Sequence, residues 1–215
     1  MIGKLLRTAR EDLDTVRDRD PSILSRTEAL LHPGLLAVWS YRVAHRIHSR
    51  GHRRTARLLS NLARIATGGI EIHPGAEIGH RFFIDHGAGV VIGETVLIGD
   101  DVTIFHQVTL GSVGWWHDHA EGPRRHPTVG SNVVIGANAT ILGPVTVGSG
   151  SVVGAQALVV RDVPAGARIN APIAGHRTAA VAGPRSASGR VVRPATRAVA
   201  LARTPADTQQ PFPTW

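Results

Sequence analysis

Ile135-Gly136-Ala137-Asn138-Ala139 and Val153-Gly154-Ala155-Gln156-Ala157 repeat one pattern eighteen residues apart: an aliphatic residue, glycine, alanine, an amide, alanine. The aliphatic position recurs every six residues, at Val129, Ile135, Ile141, Val147, Val153 and Val159. Nearer the N-terminus the same spacing links Ile72, Ile78, Ile84, Val90, Val96, Val102 and Val108. A period of six is neither that of a helix, about 3.6, nor that of a strand, about 2. It is the period of a β-helix built from hexapeptides, each a short strand and a turn, three to a triangular coil. The repeated aliphatic points inward and stacks on the residue eighteen further on. Ile72, Val90 and Val108 are therefore expected to form one stack. A single coil cannot bury its inner face, so neighbouring coils must supply the core.

The two runs are out of phase. Val108 and Val129 are 21 residues apart, a coil of eighteen plus three. Residues 111–126 therefore hold a loop that leaves the coil, and loops on repeat folds commonly carry function. Before residue 70 the period is helical. Ile2, Leu5, Leu6, Ala9, Leu13 and Val16 mark one apolar face. Asp20-Pro21-Ser22 reads as a helix start, with Asp capping and Pro in the first turn. Pro33-Gly34 opens a helix with Leu35, Leu36, Trp39, Val43 and Ile47 on one face, closed by Gly51. Leu58, Leu59, Leu62, Ile65 and Ala66 mark the face of a last one, ending at Gly68-Gly69. The expected organisation is a helical region over 1–69, a β-helix domain over 70–177, and a disordered basic tail over 178–215, rich in Ala, Arg and Pro.

Composition narrows the function. The net charge of +8 is uneven: residues 1–69 carry +7, residues 70–169 carry −4 and residues 170–215 carry +5. A nucleic-acid binder would pair a basic stripe with stacking aromatics. The basic tail has only Phe212 and Trp215, at its very end. No apolar run reaches the ~18 residues that cross a bilayer. The N-terminus has no secretory apolar core. There is no cysteine, hence no disulfide, thiolate metal site or cysteine nucleophile. The expected compartment is the cytoplasm, with no nucleic-acid and no membrane partner.

A hexapeptide helix has a narrow core, so its chemistry lies outside. Polar residues foreign to the repeat are the candidates. His86 follows Asp85 just after Ile84, and Glu71 precedes Ile72. Fifteen residues separate Glu71 from His86, close to one coil, so the two can approach across adjacent coils. A carboxylate on the second ring nitrogen would orient the imidazole and support the imidazolium formed in base catalysis. A satisfied turn histidine fits the same spacing.

Gly-Ile-Glu-Ile-His-Pro-Gly-Ala at 69–76, Phe-Phe-Ile-Asp-His-Gly at 82–87, Val-Val-Ile-Gly-Glu-Thr at 90–95 and Arg-His-Pro-Thr at 125–128 resemble bacterial serine O-acetyltransferases. The resemblance runs from about Glu11 to Pro172. It implies a left-handed parallel β-helix after a small helical region. It also implies transfer of acetyl from acetyl-CoA, as co-substrate, to the hydroxyl of L-serine, feeding cysteine biosynthesis. In this resemblance His86 is the general base and Glu71 orients it. Asp85 and Asp20 hold the serine ammonium. Arg125 clamps the serine carboxylate with His126 beside it. Gly111, Ser112, Ala137 and Ala155 hold the pantetheine arm of CoA. Glu94 in Gly93-Glu94-Thr95 matches the family and reads as a turn residue.

Three departures accompany the match. Thr109-Leu110-Gly111 continues as Ser112-Val113-Gly114-Trp115-Trp116, where the family has Gly, Thr, Gly and Lys. That alteration leaves open an alternative: another small acceptor in a specialised pathway, or, from a different class, a non-catalytic trimeric scaffold. The short helical region implies a lone homotrimer. The terminal Trp215 stands where members that dock into cysteine synthase end in isoleucine, so that complex is not expected. His117-Asp118-His119 reads as solvated, and no metal is expected. Trp115-Trp116 reads as a lid over CoA or a trimer contact. His73 reads as structural, and His32, His45, His48 and His52 as solvated or partner-facing.

Overall fold

The computed structural model describes residues 2–114 and 124–171. The paired Trp115 and Trp116, the His117-Asp118-His119 triplet and the tail at 178–215 lie outside these residues. Among them are four helices, α1 (Ile2–Arg19), α2 (Arg26–Ala29), α3 (Pro33–Ser49) and α4 (Arg53–Ala66), and fourteen short strands. Every strand pairing is parallel, and each strand bonds to one in the coil above or below.

The strands form the three faces of a left-handed parallel β-helix. The first face stacks Glu71–Ile72, Val91–Ile92, Thr109–Gly111, Thr140–Leu142 and Leu158–Val159. The second stacks Glu77–Ile78, Leu97–Ile98, Thr128–Val129 and Thr146–Val147. The third stacks Phe83–Ile84, Thr103–Ile104, Val134–Ile135, Val152–Val153 and Arg168–Ile169. The inward aliphatics form one continuous core with Tyr41, Ala37 and Val38 of α3.

Two details of register depart from the grid. In the first coil the partners are twenty residues apart, Ile72 with Ile92, Ile78 with Ile98 and Ile84 with Ile104. Only above it does the plain eighteen appear, Ile92 with Leu110. The expected stack through Val90 and Val108 is thus Ile72, Ile92 and Leu110. The slip is hidden because Val90, Val96, Val102 and Val108 are themselves fully buried, two positions before the stacking residue. The two added residues lie in the corner between the third and first faces, where His86, Gly87 and Gly89 take positive φ. The loop is also longer than the grid implied. Ile98 pairs with Val129, 31 residues on, which makes an excursion of thirteen residues and not three. Counting on a period of six fixes an insertion only to within a multiple of six, and Val108 is not a stacking position.

The helical region packs against this prism as part of one compact unit, residues 1–173. Arg42 of α3 forks onto both oxygens of buried Asp12 in α1, at 3.0 and 2.9 Å, and donates to the carbonyls of Ile78 and Gly79. The hydroxyl of Tyr41 donates to Ala76 O, and that of Ser60 in α4 to Ile72 O. Asp20 does not cap a helix. Its Oδ1 accepts from the N–H and hydroxyl of Ser22, two residues on, which closes a local turn. The following helix starts later, with Ser25 as N-cap accepting from Glu28 N. α4 also departs from expectation. Of its expected apolar face Leu58, Leu62, Ile65 and Ala66 are exposed and Leu59 is half-buried, while the side carrying Ala56 and Ser60 is buried.

Candidate active site

One cluster forms where the third face turns into the first. The corner residues Asp85 to Gly89 carry the two-residue bulge, and it holds His86 outward, with 73% of its side chain exposed. His86 Nε2 lies 3.8 Å from Asp85 Oδ1. The ring meets that of His106, one coil above, edge to face at 5.9 Å. The helical region closes on this corner because Gly34, in the first turn of α3, packs on the carbonyl of Ile84; a Cβ there would sit 2.4 Å from that oxygen. This brings His32 onto Phe83, rings stacked at 5.6 Å, and Asp20 into electrostatic reach of His32 and His86. The bond from Ser22 holds the Asp20 carboxyl below its ordinary range, so it stays an anion. Burial lowers the His32 pKa against the pull of Asp20 and Asp85. The corner therefore offers two carboxylates beside an accessible imidazole, a setting for an ammonium group and a proton acceptor.

A second cluster forms where the first face turns into the second. Gly93-Glu94-Thr95-Val96 is the turn, closed by Val96 N to Gly93 O at 3.3 Å. The chain returning from the loop lies on it. Arg125 Nη2 donates to Glu94 Oε2. Arg53, from α4, donates to Glu94 Oε1 at 2.7 Å. Partial burial works to raise the Glu94 carboxyl, but the two arginines outweigh it and hold it below the usual range. His126 is buried against the turn, with Nδ1 2.8 Å from Thr95 Oγ1. This corner is cationic, suited to a carboxylate.

The structure therefore divides the sequence-derived site residues between two edges. Asp20, Asp85 and His86 lie on one, and Arg125 and His126 on the other. The first face, up to about 20 Å of extended chain, separates them. The remaining residues divide the same way. Ala137 and Ala155 stack along the His86 edge, linked by Gln156 N to Ala137 O at 2.9 Å. Gly111 and Ser112 begin the loop on the Arg125 edge. Glu71 starts the first face, where its carboxylate meets Arg64 of α4 at 2.7 Å; the described contacts of His86 are with Asp85 and His106. Among the described residues no group of three metal-ligating side chains occurs. A cleft of about 660 Å³ between α3 and the second face holds none of these residues.

Two comparisons of sequence bear on what such edges do. The family described as bacterial transferase hexapeptide (six repeats) matches residues 126–161. The serine acetyltransferase of Mycobacterium tuberculosis is 49% identical over 161 residues, covering 74% of this chain and 68% of the relative. That of Bacillus subtilis is 50% identical over 159 residues, covering 74% and 70%. The chain belongs to the serine acetyltransferase family. Solved structures of the family agree. A soybean serine acetyltransferase complexed with serine superposes with a TM-score of 0.72 at 40% identity, over 78% of this chain and 67% of that one.

For a serine acetyltransferase, sequence reasoning left out His32 and His106. His32, expected to be solvated or partner-facing, is half-buried and stacks on Phe83 within electrostatic reach of His86. His45 and His48 are likewise engaged, with Pro74 O at 2.9 Å and with the His73 ring. His106 lies twenty residues after His86, the partner spacing of the first coil, and an eighteen-residue grid does not pair them.

Proposed function

We propose that this chain transfers the acetyl group of acetyl-CoA to the hydroxyl of L-serine, giving O-acetyl-L-serine and free CoA for cysteine biosynthesis, at sites built between copies. The observation that carries the reading is the division of one site's residues between two edges of a single face. A serine needs anions for its ammonium, a base for its hydroxyl and a cation for its carboxylate. Here the first two lie on the His86 edge and the third on the Arg125 edge. One copy's His86 edge set against another's Arg125 edge brings all three together. Repeated head to tail, that contact closes a ring, and we read the ring as a homotrimer.

In that site Asp20 and Asp85 hold the serine ammonium, and Arg125 with His126 holds the carboxylate. His86 takes the hydroxyl proton as the oxygen attacks the thioester carbonyl. The tetrahedral intermediate then expels the CoA sulfur, which receives the proton back from His86. Glu71 supports the base from the neighbouring coil, its carboxylate held by Arg64. The column of small residues at Ala137 and Ala155 leaves room above His86 for the pantetheine arm, with Gly111 and Ser112 on the facing copy. Among the described residues no helix is long and apolar enough to cross a membrane, and we place the reaction in the cytoplasm.

The test is thiol release from acetyl-CoA by purified protein with a panel of acceptors. Serine is expected to be the preferred one. His86→Ala is expected to lower turnover roughly 10²–10⁴-fold with the circular dichroism spectrum unchanged. Equal release with all acceptors, or full turnover in His86→Ala, overturns the proposal.

A further inference from the structure

Read as sequence, Gly93-Glu94-Thr95 is a corner turn. In the structure each of its three residues meets one of the two residues assigned above to the serine carboxylate. A Cβ on Gly93 would lie 2.1 Å from both Cδ2 and Nε2 of His126, so the imidazole rests directly on the glycine backbone. Glu94 holds the guanidinium of Arg125 with one oxygen and that of Arg53 with the other.

Thr95 is the most constrained of the three. Its backbone N–H donates to His126 Nδ1 at 3.3 Å. An amide N–H can only donate, so Nδ1 is an acceptor and carries no proton. Thr95 Oγ1 lies 2.8 Å from the same nitrogen. It also accepts the backbone N–H groups of Arg125 and His126, both at 3.2 Å. A hydroxyl has two lone pairs and one proton. The two amides occupy the lone pairs, and the proton is left for Nδ1. Both donors on Thr95 thus point at one ring nitrogen, and the ring proton belongs on Nε2.

We infer that Gly93-Glu94-Thr95 is the positioning module of the carboxylate clamp, in which Thr95 holds His126 as the Nε2–H tautomer and Glu94 sets the fork of Arg125. The consequence is chemical. In the other tautomer Nε2 would present a lone pair, which repels a carboxylate; in this one it presents a donor. The same hydroxyl ties down the backbone of both clamp residues where the loop rejoins the coil. The inference rests on reading Arg125 and His126 as the serine-carboxylate clamp, and it adds the groups that set their geometry and protonation site.

The test uses the full-length protein and two substitutions. Thr95→Val keeps the side-chain size and removes the hydroxyl; Thr95→Ser keeps the hydroxyl. In Thr95→Val the KM for serine is expected to rise about tenfold or more, the loss of one hydrogen bond to a charged site. The KM for acetyl-CoA stays near wild type, the melting temperature falls because the Arg125 and His126 amides lose their acceptor, and Thr95→Ser restores both it and the serine KM. With ¹⁵N-labelled histidine, and the His126 signals assigned through His126→Gln, wild type should show an unprotonated Nδ1 and a protonated Nε2. Thr95→Val keeps the amide bond on Nδ1 and removes the shorter hydroxyl bond, so the Nδ1 signal is expected to shift downfield toward that of a free imidazole nitrogen. A wild-type proton on Nδ1, an unchanged Nδ1 signal in Thr95→Val, or an equal rise in both KM values overturns the inference. The tautomer reads out without substrate. The expected spectrum in a protein that does not use serine would sink the acceptor assignment and leave the Thr95–His126 coupling standing.

Discussion

His86 and Arg125 do opposite electrostatic work, and their surroundings are built accordingly. His86 sits among carboxylates, while Arg125 is steadied by one carboxylate in a region otherwise cationic. Replacing Arg125 with Lys keeps the charge and loses the planar fork that matches a carboxylate. Serine KM is expected to rise well above that of wild type, with the acetyl-CoA KM little changed; a selective loss of acetyl-CoA saturation would assign Arg125 to the cofactor phosphates instead. His73 offers a prediction of another kind. Burial, reinforced by Arg57, His48 and Arg53 against Glu94, pushes its pKa down to about 4. The unfolded chain, at about 6.5, then binds the proton first. Stability is therefore full above that value and is lost as pH falls toward 4. Melting temperature should drop across that window, and His73→Asn, whose carbonyl can still accept the Gly75 N–H now held by His73 Nδ1, should flatten the drop. A melting curve equally steep in the variant would remove His73 as the cause. Residue types at this scale were largely legible: an Asp-His pair after a strand, and an Arg-His pair where a loop ends. What they touch was not. Glu71 reaches Arg64 of α4, a neighbour supplied by the helical region, which no spacing within the coils could reveal.

Among the elements, α4 is the one whose sequence pattern and packing disagree. Periodicity marks Leu58, Leu62 and Ile65 as an apolar face, and such a face is ordinarily the buried one. In this protein the helix lies on the first strand of the first face through Ala56 and Ser60, where small side chains permit close approach. Ile65 is left 80% exposed. In the proposed ring a second copy faces the first face, whose two edges hold the halves of the site, and Leu58, Leu62 and Ile65 are read as part of that contact. Leu62→Glu should then reduce the mass measured by light scattering and lower activity in parallel. A variant of full mass and full turnover would show the stripe to be a free surface. The β-helix shows how far a repeat can be read: the three-faced coil follows from the period alone, while the phase of each coil does not, because from Val90 to Leu110 two positions in each hexapeptide are aliphatic.

For the whole molecule, a site shared between copies makes a prediction that no single-chain site can meet. His86→Ala and Arg125→Ala are each expected to be nearly inactive alone. When the two variants are expressed together in equal amounts, some contacts join an intact His86 edge to an intact Arg125 edge. Random assembly of a closed ring gives about one quarter of the sites in that state. Activity near that fraction of wild type, absent when the separately purified variants are assayed apart, supports the shared site; no recovery on co-expression places the whole site within one chain.

The corner that carries His86 holds two residues more than its neighbours. The thirteen-residue loop leaves Val129, Ile135 and Ile141 buried, so the corners and not the strands absorb added residues, and the His86 corner is one more case. Ile92, Ile98 and Ile104 all remain buried after it. The fold thus tolerates corners of different lengths, reshaping what projects from them while the interior keeps its order. Reactive geometry and structural integrity are in this sense written in separate digits of the same chain, and a reactive centre can be moved relative to its neighbours without rewriting the core beneath it.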